Sequence, residues 1–191
     1  MKKTAVTAAP LAELIAERWS PRAFDAAHQA SDAEILAVLE AGRWAPSANN
    51  GQPWRFSVAR RGSGLFNAMV GATTGFNQAW LPNASFLVLV SAVKLNAEGN
   101  PHRTFMFDCG LAVQNMLLQA EASGLAGHVV GGMDREAMPF AAGVPDDLQV
   151  VMLVAIGKPT DASVLPEGAR EREVLERSRL SLDDIVIVGK P

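Results

Sequence analysis

The chain has 191 residues, 49% hydrophobic and 19% charged, with a formal net charge of −3. That length suits one domain with a substantial core, and so apolar a composition at so low a net charge excludes a disordered chain. The acidic balance has the wrong sign for wrapping nucleic acid, and a single cysteine, Cys109, excludes an internal disulfide framework or a cysteine zinc cluster.

Met1-Lys2-Lys3 opens like a signal peptide, but Thr7, Pro10 and Glu13 interrupt the apolar stretch that should follow, so export is not expected. The most hydrophobic run, Phe86 to Val93, is eight residues long, against the roughly 20 that a membrane helix needs. With one free thiol, these features lead us to expect a cytoplasmic protein with no membrane partner. Residues 11–18 read as a short amphipathic helix that breaks at Pro21. Ser31-Asp32-Ala33-Glu34 is a capping box, after which Ile35, Leu36, Val38 and Leu39 keep helical spacing as far as Trp44. Pro46 to Pro53 is a loop rich in Ser, Asn and Gly, and Trp54 to Val58 alternates as a half-buried strand. A short helix is expected near 63–70, then a loop to about Ala84, then a fully buried strand from Phe86 to Val93.

Residues 102–123 form the longest predicted helix, ended by Gly124. A strand from Ala126 to Val130 closes on Gly131-Gly132, a helix covers about 134–142, and a buried strand runs from Val150 to Ile156. The segment 158–191 reads as a C-terminal arm, charged and irregular as far as Arg179 and closing in an apolar strand, Ile185 to Val188. Such a strand must pair with its own sheet or with that of a partner subunit. The reading is one α+β domain over residues 1–191.

Much familiar chemistry is missing. No Gly-x-Gly-x-x-Gly, P-loop or Gly-x-Ser-x-Gly motif occurs, and His28, His102 and His128 lie too far apart to suggest a metal pair. Cys109, between Phe107 and Leu111 on the long helix, reads as a small buried hydrophobe, and Asp146-Asp147 and Asp183-Asp184 as turn and helix-start residues. With no catalytic side chains and no metal in prospect, an enzyme of this sequence needs an organic cofactor.

Four segments offer binding chemistry. In Arg18-Trp19-Ser20-Pro21-Arg22, two guanidinium groups and a hydroxyl can converge on a phosphate, or stand as solvated charges around a helix break. Pro46-Ser47-Ala48-Asn49-Asn50-Gly51-Gln52-Pro53 sets amides and a hydroxyl along a loop that suits the edge of a planar heterocycle, or is an ordinary Asn/Gly turn. Gly127-His128-Val129-Val130-Gly131-Gly132 lets main-chain N–H groups approach a flat ligand, or simply turns strand into helix. Arg177-Ser178-Arg179 is a further cationic pair within a charged tail that includes Glu171, Glu173 and Glu176.

In this order the segments resemble the nitroreductase family of FMN enzymes, over almost the whole chain from Leu14 to Val186. Arg18-Trp19-Ser20-Pro21-Arg22-Ala23-Phe24 is similar to the family's opening Arg-x-Ser-x-Arg/Lys-x-Phe, and Ala45-Pro46-Ser47 with Asn50-Gly51-Gln52-Pro53-Trp54 to its Ala-Pro-Ser and Asn-x-Gln-Pro-Trp. Asp108-Cys109-Gly110 through Gly124-Leu125, Gly132-Met133-Asp134, Ala155-Ile156-Gly157 and Arg179-Leu180-Ser181-Leu182 resemble its later segments. The resemblance implies a mixed, mostly antiparallel sheet flanked by helices, in an intertwined homodimer with an exchanged C-terminal strand. It implies FMN as cofactor and NAD(P)H as reductant, with hydride passed through the flavin to an electron-poor acceptor (nitroaromatic, quinone or enone) by ping-pong exchange.

Carried over by residue, Arg18, Trp19, Ser20 and Arg22 would hold FMN from one subunit, with Arg177 and Arg179 completing the phosphate clamp. Pro46, Ser47, Ala48, Asn50 and Gln52 would line the ring from the other subunit, Asn77 would meet the pyrimidine edge, and Val129, Val130, Gly131 and Gly132 would lie against the opposite face. Some members carry a lysine three residues after that asparagine. Here the position is Trp80, which is expected to wall the substrate pocket instead. Two alternatives remain beside this reading: a specialised relative acting on one metabolite, and an FMN protein that stores or senses the cofactor.

Overall fold

In the computed structural model, which describes residues 3–96 and 98–189, four strands form one sheet in the order β1-β2-β4-β3. They are β1 Trp54–Arg60, β2 Phe86–Val93, β3 Ala126–Val130 and β4 Leu148–Gly157. Every pairing is antiparallel, so among the described residues the sheet has no mixed component. Met1 and Lys2 of the signal-like opening, and Lys190 and Pro191 of the arm, lie outside the described residues.

β2 sits inside the sheet and is covered on both faces, which accounts for its unbroken apolar run. Leu87 and Leu89 point into one core with Phe66 and Met69 of α3 (Gly64–Gly71) and Met138 of α5 (Ala137–Ala141). Phe86, Val88 and Val90 point into the other, with Ile35 and Val38 of α2 (Asp32–Arg43) and the inner face of α4 (Phe105–Ala122). On α4 that inner face is Cys109, Ala112, Val113, Met116, Leu117 and Ala120, a helical repeat. α2 and α4 pack closely: a Cβ on Gly42 would lie 2.4 Å from Met116 Cε. Burial pushes the Cys109 thiol up to about 12, with Asp108 adding to the effect, so it is an inert core group as the sequence implies. No helix among the described residues is long and apolar enough to cross a membrane.

The Ser31 capping box is present in full and starts α2. Gly124, at φ +71°, follows the end of α4. Three expectations need correction. The tail is not irregular up to Arg179, because Pro166 and Glu167 start a helix, α6 (Glu167–Val174). Ile185 to Val188 is not a strand. Ser181 accepts from the Asp184 N–H and caps a single helical turn, α7 (Leu182–Ile185), beyond which Ile187 and Val188 are 87% and 84% exposed. Trp80 is no pocket wall: it is fully buried, with its ring against Phe24 (centroids 6.1 Å apart) and His128 (4.7 Å).

Leu89, fully buried at the centre of the sheet, tests this arrangement. Replacing it with alanine is expected to remove about 2–5 kcal/mol of unfolding free energy, read by urea titration.

Candidate functional site

The first helix, α1 (Glu13–Glu17), stops where Arg18 turns to extended backbone at φ −55° and ψ 125°. Pro21 denies the helix an N–H and disfavours helical geometry at Ser20. The turn that follows is held from two sides. His128 on β3 donates from Nδ1 to the carbonyls of Ser20 and Pro21, each at 3.0 Å. The buried carboxylate of Glu173 on α6 accepts from the Arg22 N–H at 2.9 and 3.0 Å and from the Ala23 N–H at 3.0 Å, with the Arg22 guanidinium 3.8 Å away. Farther on, Ala23 O accepts from the Thr160 N–H and Lys158 O from the Asp25 N–H, both at 2.9 Å.

Cations gather around this turn. Arg18 Nη1 lies 3.3 Å from Ser20 Oγ. Burial lowers the Arg18 pKa, and the neighbouring charges of Arg177 and Arg179 lower it further. Arg177 donates to the carbonyls of Lys3 and Ala16. Lys3 donates in turn to Glu173 O and Leu175 O and sits 4.6 Å from the centre of the Trp19 ring. Burial also lowers the Lys3 pKa; Glu173 opposes that shift, and Arg22 and Arg177 add to it. No ion pair among the described residues engages Arg18, Arg177 or Arg179. Like charges held this close favour an anion in their midst.

The same side of the molecule carries Asn77 and the Gly131-Gly132 turn after β3. Thr73 and Met133 form a bridge, the Thr74 N–H donates to Gly132 O at 2.9 Å, and Asn77 Nδ2 donates to Gly132 O and Thr74 O at 3.2 Å. A Cβ on Gly132 would lie 2.5 Å from Asn77 Nδ2, so glycine is what permits this approach. α6 joins the two clusters, since Arg172, beside Glu173, lies 5.4 Å from the centre of the Phe76 ring. Val130 is buried in the core, so only its main chain is left to meet a ligand, and Val129 is partly buried on the other face of the sheet.

The Ser47 loop lies elsewhere. Asn49, Asn50 and Gln52 have φ of 51°, 55° and 43°, the left-handed region that asparagine tolerates and other side chains avoid. Ser47 Oγ accepts from the Gln52 N–H at 3.0 Å, and Gln52 Nε2 donates to Asn50 O at 3.0 Å. Buried Asp108, in the first turn of α4, accepts from Thr104 Oγ1 at 3.0 Å and from the Ala48 N–H at 3.4 Å. Pro46, Ala48, Asn50 and Gln52 are exposed, and the loop borders a cavity of about 860 Å³ that Arg55, His102 and Arg103 also line.

The predicted residues therefore form two groups in the chain. The Ser47 loop adjoins Asp108 at one end of α4. Arg18 feels the charge of Glu121 at the other end, roughly 20 Å away at 1.5 Å per residue. The sequence motifs assign no role at this turn to Glu173, His128 or Lys3, and none at the Ser47 loop to Asp108. For Glu173 a signal existed: Leu165, Ala169 and Glu173 recur every fourth residue and all three are buried.

Residues 15–158 match the sequence profile of the nitroreductase family. The chain is 36% identical over 138 residues to a protein of Archaeoglobus fulgidus named "Putative NADH dehydrogenase/NAD(P)H nitroreductase", covering 70% of this chain and 76% of that one. The chain belongs to the nitroreductase family. A crystal structure described as an oxidoreductase containing FMN superposes with a TM-score of 0.90 at 36% identity, covering 97% of this chain and 94% of that one. A second, from Desulfovibrio desulfuricans and described as "a putative nitroreductase in complex with FMN", gives a TM-score of 0.76 at 27% identity, covering 97% and 99%. The fold is thus the nitroreductase fold.

Glu173 makes this nitroreductase-family turn testable. Glu173→Ala leaves the Arg22 and Ala23 amides without their acceptor, at about 1–3 kcal/mol for each buried donor. The melting temperature is expected to drop by several degrees, at roughly 2–4 °C per kcal/mol for a chain this long, as read by calorimetry.

Proposed function

We propose that the chain is an FMN-dependent oxidoreductase that takes reducing equivalents from NAD(P)H, delivers them to an electron-poor acceptor, and works as a homodimer. The observation that carries the reading is the cluster of Arg18, Arg177 and Arg179, close together and free of ion pairs among the described residues. A dianionic phosphate is the ligand such a cluster suits best. The FMN named in the two related crystal structures supplies that phosphate together with a flat ring.

In this reading Arg18, Arg177 and Arg179 bind the phosphate and Ser20 adds a hydroxyl donor. Arg22 stands at the pyrimidine edge of the ring and stabilises the negative charge that collects there on reduction. Asn77 and the main chain of Gly131 and Gly132 border the ring. When bound, FMN supplies the hydride chemistry that no side chain of this protein offers. The protein's part is to orient the ring, tune its charge and leave one face open. The donor and the acceptor use that face in turn, which makes them exclude each other.

Two features support a dimer. The Ser47 loop and the Arg18 cluster stand at opposite ends of α4, so two copies can bring unlike ends together around each cofactor. The tail also leaves Leu180, Leu182, Ile185, Ile187 and Val188 exposed, an apolar strip that a second copy would cover. The exchange of this tail onto the partner's sheet belongs to the same proposal.

Titrating the apoprotein with FMN, followed by quenching of flavin fluorescence, tests the reading. Arg18→Ala is expected to weaken binding by about tenfold or more, as the loss of a charge-assisted hydrogen bond does. Unchanged affinity would remove Arg18 from the phosphate site.

A further inference from the structure

His128 touches all three pieces of chain on this side of the molecule, and its roles can be read from its hydrogen bonds. The two groups beside its Nδ1 are the carbonyls of Ser20 and Pro21. Carbonyl oxygens only accept, so Nδ1 carries the proton and the neutral ring leaves Nε2 bare. Burial pushes its pKa down to about 4, and the Arg22 cation adds to the effect, which keeps the ring in that neutral form. Its ring packs against that of Trp80 at a 46° tilt, Trp80 follows Asn77 by three residues, and His128 stands on β3, three residues before Gly131. One side chain thus spans the Arg18–Arg22 turn, the Asn77 loop and the strand that ends in Gly131-Gly132. Glu173 holds the turn's amides from the opposite side.

We propose that His128 is a positioning residue for the cofactor: its Nδ1–H fixes the Ser20–Pro21 peptide and so sets where Arg18, Ser20 and Arg22 stand relative to Asn77 and Gly132. The proposal rests on the FMN assignment above. His128 itself makes no contact with the cofactor in this arrangement. It acts by holding its partners in the geometry that a bound ring and phosphate require, so that binding does not have to order them first.

The test compares His128→Leu with His128→Asn, because the asparagine amide can place an N–H where Nδ1 stands and leucine cannot. FMN titration of each apoprotein is expected to give a Kd raised about tenfold for the leucine variant and restored to within about threefold of wild type for the asparagine variant, which follows from the same hydrogen bond. A leucine variant that binds FMN as tightly as wild type overturns the proposal, as does an asparagine variant that binds no better than leucine. Nitrogen-15 NMR of the wild-type apoprotein adds a readout that does not depend on any variant folding. Its expected result is a neutral His128 protonated at Nδ1, and protonation at Nε2 alone would overturn the proposal. A wild-type protein that binds no FMN at all defeats the cofactor assignment itself, an outcome distinct from a failure confined to the variants.

Discussion

Glu173 puts a carboxylate where water does not reach, at 2% exposure, and a buried charge persists only where its oxygens are fully hydrogen-bonded. The amides of Arg22 and Ala23 meet that demand. This fixes the N-terminal turn against a helix about 150 residues later in the chain. Lys3 and Arg177 tie the two ends of the chain together beside it. The consequence is electrostatic. Lys3 and Arg22 flank the buried carboxylate of Glu173, which is committed to the backbone, while Arg18 stands beside Arg177 and Arg179 with Glu121 opposing them. The cluster keeps an excess of positive charge that an anionic ligand would relieve, in a protein whose net charge is negative.

The sheet provides the frame for this arrangement. β2 and β4 are packed into both cores. β3 carries His128 and the Gly131-Gly132 turn from the edge of this frame, while α4 separates the Arg18 cluster from the Ser47 loop. In the function we propose, a symmetric pair joins these two groups, each copy lending the other its missing half, so that one interface builds two identical sites.

Much of this was legible in the sequence because the signals are local. The unbroken apolar run of β2, the capping box at Ser31 and the helical repeat from Cys109 to Ala120 each report on a few neighbouring residues. Asn77 and Gly132, read separately in the sequence as neighbours of a ring, hydrogen-bond to one another. What escaped depends on distant partners. Glu173 stands among other acidic residues of a charged helix, and only contact with a turn far away in sequence makes it structural. Trp80 reads as a pocket wall from its place beside Asn77, and only the distant partners Phe24 and His128 show it to be a core residue. The Ile185–Val188 segment has strand composition, yet Ser181-Leu182-Asp183-Asp184 just before it is a capping sequence. Within one copy the local signal prevails.

The central claim is that the cationic cluster holds a flavin that NAD(P)H can reduce. The most direct measurement is an anaerobic absorbance spectrum of the FMN-saturated protein before and after addition of NADPH or NADH. The account predicts a flavin band near ~450 nm that bleaches on addition. A protein-bound band that persists with both nucleotides would contradict it and assign the bound flavin to storage or sensing.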